Sequence, residues 1–236
     1  MEVVKGSKCQ SCVQAKQPRK PFKGLEEKRD LAPLDLIHSD LCEMNGLLTR
    51  GGKRYFMTLI DDATSYCYIY LLKTKDEDFR YFKIFKAEVE NQIERKIKHL
   101  RDDRGGEYIS NEFSQFCAEH GIIHEVTPPY SPQSNRVAER KNRTLTDLVN
   151  AMLESSGMSY EWWGEAILTA NFVLNRVVIK NKDITPYEGW KGRKPNVNFL
   201  RTWDCLEKVN IPAPKKRKLG PKTVDCVFLG YALNST

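Results

Sequence analysis

Tyr130-Ser-Pro-Gln-Ser-Asn-Arg-Val-Ala-Glu139-Arg-Lys-Asn-Arg-Thr-Leu-Thr-Asp-Leu-Val-Asn-Ala-Met-Leu153 opens as a turn-rich loop and continues as a helix. Leu145, Leu148, Val149 and Met152 follow the i, i+3, i+4, i+7 spacing of a core-facing stripe. At about 100° per residue, Glu139 falls nearly opposite that stripe. Its neighbours on the helix surface are Asn135, Arg136, Asn142, Arg143 and Thr146, all polar. Read alone, Glu139 is a solvated charge with favourable i,i+4 cations. The elements before it change that reading.

Working outward, Leu34–Cys42 reads as a strand, Tyr55–Ile60 as a second and Tyr66–Leu72 as a third. The third is rich in aromatic and β-branched residues, and short turns join the three. Asp61-Asp62-Ala-Thr-Ser65 is one such turn, where Asp serves as a local backbone acceptor. Lys75–Lys96 carries the helical stripe Phe79, Phe82, Phe85 or Lys86, Val89 and Ile93. A strand over 97–103 ends at Gly105-Gly106, Asn111 caps a helix over 112–120, and a strand over 122–127 stops at Pro128-Pro129.

The order β-β-β-α-β-α-β-α predicts an α/β fold. Its core is a five-stranded mixed sheet, three antiparallel strands first, with helices on both faces. Beyond Gly157, a helix over 161–175 buries Trp162 and Trp163. From Lys180 onward five prolines predict a loop-rich extension with one strand over 224–231. The expected division is 1–30, a basic lead-in; 31–157, the core; 158–180, a helical extension; and 181–236, a basic C-terminal region.

The 236 residues carry a net charge of +7, concentrated near the N-terminus, at Arg140-Lys141-Asn142-Arg143 and at Lys215-Lys216-Arg217-Lys218. That distribution suits a polyanion, most simply nucleic acid. No apolar run reaches the roughly 18 residues of a membrane span, and the start lacks a secretory apolar segment. Seven cysteines in such a chain imply a reducing, intracellular setting. Cys42, Cys67, Cys117, Cys205 and Cys226 read as small buried hydrophobes. Cys9 and Cys12 read as half of a Zn²⁺ site. None of the four histidines stands at ligand spacing from another, so the missing ligands are expected upstream of Met1.

Asp40 ends the first strand, Asp103 ends the fourth and Glu139 follows on the last helix. Open α/β sheets gather ligand chemistry outside strand ends. Three converging carboxylates repel one another unless they hold cations, and hard oxygen ligands suit Mg²⁺ or Mn²⁺. Asp35, Asp61, Asp62 and Asp102 are rival acids. Turn capping accounts for Asp61 and Asp62, and strand alternation turns Asp102 away from Asp103.

Several segments resemble the integrase region of copia-type retrotransposon polyproteins. They are Leu36-Ile-His-Ser-Asp40-Leu, Leu59-Ile-Asp-Asp62, Leu100-Arg-Asp-Asp103-Arg-Gly-Gly-Glu-Tyr108, Ser131-Pro-Gln-Ser-Asn135, Val137-Ala-Glu139-Arg-Lys-Asn-Arg-Thr144, Trp162-Trp163, Asn175-Arg176, Thr185-Pro-Tyr187 and Phe228-Leu-Gly-Tyr231. The 35 residues between Asp103 and Glu139 match the family's acid spacing.

The resemblance implies an RNase H-like core with Asp40, Asp103 and Glu139 as catalytic ligands of two Mg²⁺ or Mn²⁺ ions. It implies the joining of element DNA 3′ ends to target DNA by a homo-multimer, with no membrane or small-molecule substrate. Tyr130, Ser131, Gln133, Asn135, Arg136, Lys141 and Arg143 would face DNA. Cys9 and Cys12 would be the remnant of a His-His-Cys-Cys zinc domain, holding Zn²⁺ only with ligands from upstream. Action would be nuclear, after synthesis in the cytoplasm, and Lys215–Lys218 resembles an import signal.

The chain departs from the family at Arg136 and Asp204, where Gly is usual, and in lacking the zinc histidines. A partial copy is therefore expected. An impaired nucleic-acid-binding derivative and an RNase H-like nuclease remain as alternatives.

Overall fold

The computed structural model describes residues 31–102, 111–126, 136–179 and 182–232. Packing separates Met1–Asp30 from Leu31–Thr236. Cys9 and Cys12 belong to the first unit and lie outside the described residues.

Five strands form the sheet: β1 (Leu36–Glu43), β2 (Tyr55–Asp61), β3 (Cys67–Leu72), β4 (His99–Asp102) and β5 (Ile123–Val126). Their spatial order is β3-β2-β1-β4-β5. β1–β2 and β2–β3 are antiparallel, whereas β1–β4 and β4–β5 are parallel. The helices are α1 (Asp78–Ile93), α2 (Asn111–Glu119), α3 (Arg136–Ser156), α4 (Trp163–Leu174) and α5 (Pro186–Lys191).

Both faces of the sheet are covered, which is why its strands are apolar at successive positions. Ile37, Met57, Leu59 and Leu100 point to one face, under Phe82, Phe85 and Val89 of α1 and Phe113 and Cys117 of α2. Phe56, Ile60, Cys67 and Ile69 point to the other, under Leu145 and Val149 of α3 and Trp163 and Ile167 of α4. Each fully buried large side chain contributes about 1.5–3 kcal/mol, and Trp163, Phe56, Phe82, Phe85 and Phe113 are the bulkiest of them among the described residues.

The structure differs from expectation in several places. A 3-10 turn at Lys75–Glu77 precedes α1, which ends at Ile93 because Glu94 turns left-handed, φ 56°. Lys86 is buried within the apolar stripe, its ammonium paired to Glu90 at 2.8 Å. Cys67 and Cys117 are buried, but Cys42, Cys205 and Cys226 are only partly so.

The C-terminal region is less loop-rich than its prolines predict. Thr185 caps α5, its hydroxyl accepting from the Glu188 N–H, and Gly192 ends the helix at φ 68°. Trp190 of α5 is buried and stacks on Tyr66. β6 (Leu206–Asn210) and β7 (Thr223–Val227) then form a two-stranded antiparallel ribbon. Asp204 enters it with φ 65°, a left-handed conformation that glycine adopts without strain.

Candidate active site

β1 is the central strand, antiparallel to one neighbour and parallel to the other. Ser39 is its last residue paired with β4, opposite Asp102, and Asp40 comes next. Alternation turns Asp40 to the face that carries α3. There its register partner on β2 is Thr58. The Asp40 carboxylate accepts from the Leu41 N–H at Oδ1, 2.9 Å, and from the Asn142 amide at Oδ2, 2.8 Å. The Cys42 thiol lies 3.8 Å from Oδ2. Burial first, then the Asp40 charge, pushes that thiol up to about 12. Cys42 is therefore a neutral group at neutral pH and not a thiolate nucleophile.

Helix α3 is rotated from its expected phase. Its buried residues are Ala138, Asn142, Leu145, Val149 and Leu153. Leu148 and Met152 pack at the margin of that stripe. Glu139 consequently stands about 80° from the stripe's centre, at its flank rather than nearly opposite it. It is partly buried and lies in the first turn of α3, where the helix dipole favours a negative charge.

Arg136, Arg143 and Thr146 share the flank of Glu139 at helical spacing and are exposed. Lys141 falls on the opposite flank, so the helix does not bring it together with Glu139. Arg143 and Thr146 also border a cavity of about 470 Å³, floored by Phe56 and Trp163 and edged by Cys42 and Asn142. The lining carries one cation, Arg143, and one carboxylate, Glu43, over an otherwise apolar and neutral polar surface.

The rival acids have structural partners elsewhere. Asp35 pairs with Lys98 at 2.7 Å, and that ammonium holds its carboxyl below the usual range. Asp61 accepts from the Leu34 and Thr64 N–H groups, both at 2.8 Å, and from the Thr64 hydroxyl. Burial raises its pKa. Asp62 meets His38 Nε2 at 2.8 Å, and that hydrogen bond lowers its pKa. Asp102 is fully buried and meets His124 Nε2 at 2.8 Å, on the sheet face opposite Asp40.

Of the expected site residues, Asp40, Arg136, Glu139, Lys141 and Arg143 are described. Asp103, Tyr130, Ser131, Gln133 and Asn135 lie outside the described residues. Among the described residues no cluster of three or more His, Cys, Asp or Glu side chains could hold a metal ion. The donor set present still fits a hard divalent cation. Asp40 and Glu139 offer carboxylate oxygens, and two of the groups that orient Asp40, the Leu41 N–H and the Asn142 amide, are neutral. Asn142 and Thr58 are the residues that sequence reasoning missed. The signal for Asn142 was its place in the series 138, 142, 145, 149, 153, at the spacing of one buried stripe.

Residues 30–132 match the model of a family described as "Integrase core domain". The chain is 40% identical over 224 residues to the "Retrovirus-related Pol polyprotein from transposon TNT 1-94" of Nicotiana tabacum, a match covering 94% of this chain and 17% of that polyprotein. It is 28% identical over 229 residues to the Pol polyprotein from transposon RE1 of Arabidopsis thaliana, covering 97% of this chain and 15% of the relative. A Ty1 Gag-Pol polyprotein of Saccharomyces cerevisiae is 28% identical over 96% of this chain and 13% of its own length. The chain thus spans about a sixth of these relatives or less.

Among solved structures, a chain of a simian T-cell lymphotropic virus intasome in complex with a PP2A regulatory subunit superposes with a TM-score of 0.62 at 17% identity. That match covers 91% of this chain and 74% of the other. The integrase catalytic core domain of HTLV-2, in complex with magnesium, gives 0.52 at 20% identity, covering 69% and 99%. These likenesses identify the fold as the RNase H-like integrase core.

Proposed function

We propose that this chain, which belongs to the integrase core domain family of retrotransposon Pol polyproteins, is the catalytic part of a polynucleotidyl transferase that joins element DNA 3′ ends to target DNA. The observation that carries the proposal is the hydrogen bond from Asn142 of α3 to Asp40 of β1, which sets the helix that bears Glu139 against the strand that bears Asp40. Asp40 lies within the central strand just past its last pairing with β4, Glu139 lies in the first turn of α3, and Asn142 ties the two elements together.

Asp103 is the third acid in this reading. It follows Asp102 in sequence, and the partner of Asp102, Ser39, precedes Asp40. Asp40, Asp103 and Glu139 would hold two Mg²⁺ or Mn²⁺ ions. Such a pair supplies activation of an attacking hydroxyl and neutralisation of the leaving oxygen in an in-line phosphoryl displacement. The magnesium complex of the HTLV-2 core supports that choice of metal.

The protein's own task is positioning. Arg136 and Arg143 sit beside Glu139 and would hold phosphates as the DNA end crosses the cavity rim. The DNA 3′-hydroxyl is the nucleophile, and the neutral Cys42 thiol does not compete with it. Tyr130, Ser131, Gln133 and Asn135 would contact the DNA end from the segment before α3. Lys141, on the other flank, would contact DNA only outside the immediate site. Assembly as a multimer is supported by the intasome likeness, and a nuclear site of action would follow from genomic DNA as the target.

A strand-transfer assay with duplex oligonucleotides and Mg²⁺ or Mn²⁺ tests this. Joined products are expected, and Asp40→Asn, Asp103→Asn and Glu139→Gln should each abolish them while leaving DNA binding intact. Cleavage without joining would establish a nuclease, and binding alone a non-catalytic derivative. Unchanged joining by Asp103→Asn would break the triad assignment.

A further inference from the structure

Asn142 is 5% exposed, yet it occupies a position in the stripe that packs α3 onto the sheet. A buried amide is costly there unless it is hydrogen-bonded. Its bonds run to the site. The amide nitrogen donates to Asp40 Oδ2 at 2.8 Å and lies 3.1 Å from Cys42 Sγ. Its oxygen accepts from the Thr58 hydroxyl at 3.0 Å.

The direction of this chain is fixed by chemistry. An ionised carboxylate only accepts, so the nitrogen of Asn142 must face Asp40. That leaves the oxygen facing Thr58, whose hydroxyl must then donate. Thr58 and Asp40 are register partners on adjacent strands. One helix side chain therefore grips both strands at one level of the ladder. Glu139 lies three residues earlier on the same helix, about 4.5 Å along its axis.

We infer that Asn142 is a positioning residue, which fixes the Asp40 carboxylate and sets the rotation and height at which α3 presents Glu139. Thr58 holds the Asn142 amide in the orientation this requires. The inference rests on reading Asp40 and Glu139 as partners in one site. A leucine at 142 would extend the apolar stripe and keep the helix packed while removing the grip.

The test uses the full chain and the variants Asn142→Leu, Thr58→Val and their double. Three quantities are measured: the melting temperature without metal, Mn²⁺ affinity by titration calorimetry with Mn²⁺ alone, and kcat and KM for strand transfer. Asn142→Leu should melt close to wild type without metal. Its Mn²⁺ affinity and kcat should fall about 10–100-fold, with KM for DNA unchanged. Thr58→Val should fall less in the same quantities, and the double variant should be no worse than Asn142→Leu.

Wild-type affinity and kcat in Asn142→Leu would overturn the inference, as would additive losses in the double variant. If Asn142→Leu does not fold, Thr58→Val decides alone, and wild-type behaviour from it overturns the inference. A wild-type chain that neither binds Mn²⁺ nor joins DNA would sink the reading of the site together with the inference. An active wild type with an unaffected Asn142→Leu would sink the inference only.

Discussion

Asn175→Ala should destabilise the fold far more than a surface-polar truncation does. β3 is an edge strand of the sheet, and an open edge presents unpaired backbone groups. Here the Asn175 side chain closes it. Its oxygen accepts from the Cys67 N–H at 3.1 Å and its nitrogen donates to the Cys67 carbonyl at 2.8 Å. Asn171 donates to the same carbonyl, also at 2.8 Å. Asn175 is 3% exposed and Cys67 is 1% exposed, so water does not replace what is lost.

In Asn175→Ala the carbonyl keeps Asn171, but the N–H is orphaned. A buried unpaired donor costs about 1–3 kcal/mol, and the second hydrogen bond adds about 0.5–1.5. The expected loss is about 3 kcal/mol, or about 6–12 °C for a domain of this size. Asn171→Ala is the control. It leaves Cys67 fully paired through Asn175 and removes an Asn171 oxygen that is itself buried without a partner among the described residues. Its cost should stay at or below about 1 kcal/mol. Urea unfolding followed by the fluorescence of buried Trp163 and Trp190 measures both. Equal losses in the two variants, or a loss below about 0.5 kcal/mol in Asn175→Ala, would refute the edge-closing role.

Asp62→Asn should lower the melting temperature at pH 7, and the difference from wild type should shrink as the pH falls below about 4. The His38 hydrogen bond depresses the folded-state pKa of Asp62, so its contribution is present above the unfolded pKa and lost as pH drops through the folded one. Melting curves from pH 3 to 7 check this, and a difference independent of pH would contradict it. Replacing Lys215, Lys216, Arg217 and Lys218 by Ala, all exposed between β6 and β7, should reduce the slope of log affinity for duplex DNA against log salt by about 3–4. A fluorescent fusion of the same variant should lose nuclear accumulation, and an unchanged slope and distribution would show a merely solvated loop.

The strands were legible because aromatic and β-branched runs such as Tyr66–Leu72 have few other uses. The turn role of Asp61 was legible for the same reason: a short acceptor between two such runs caps the turn. Helix α5 was not foreseen, although Thr185, Pro186 and Gly192 are ordinary start and stop signals. It has only six residues, and the surrounding prolines outweighed them. Asn175-Arg176 stood out by resemblance alone. Its physical reason, the pairing with Cys67, depends on a contact between residues 108 positions apart, which no local pattern encodes.

The misreading of α3 has a specific cause, and it lies at the site. Apolar periodicity gives the phase of a helix only when the buried positions are apolar. At 142 the buried residue is an amide, so the pattern shifted toward Leu148 and Met152 and carried Glu139 to the solvent side. Sites are where a protein buries polar groups against the local rule. The error of phase and the position of Asn142 are therefore one observation. A helix whose polar residue interrupts its own stripe one turn from a lone carboxylate is holding something across that turn, and here it holds Asp40.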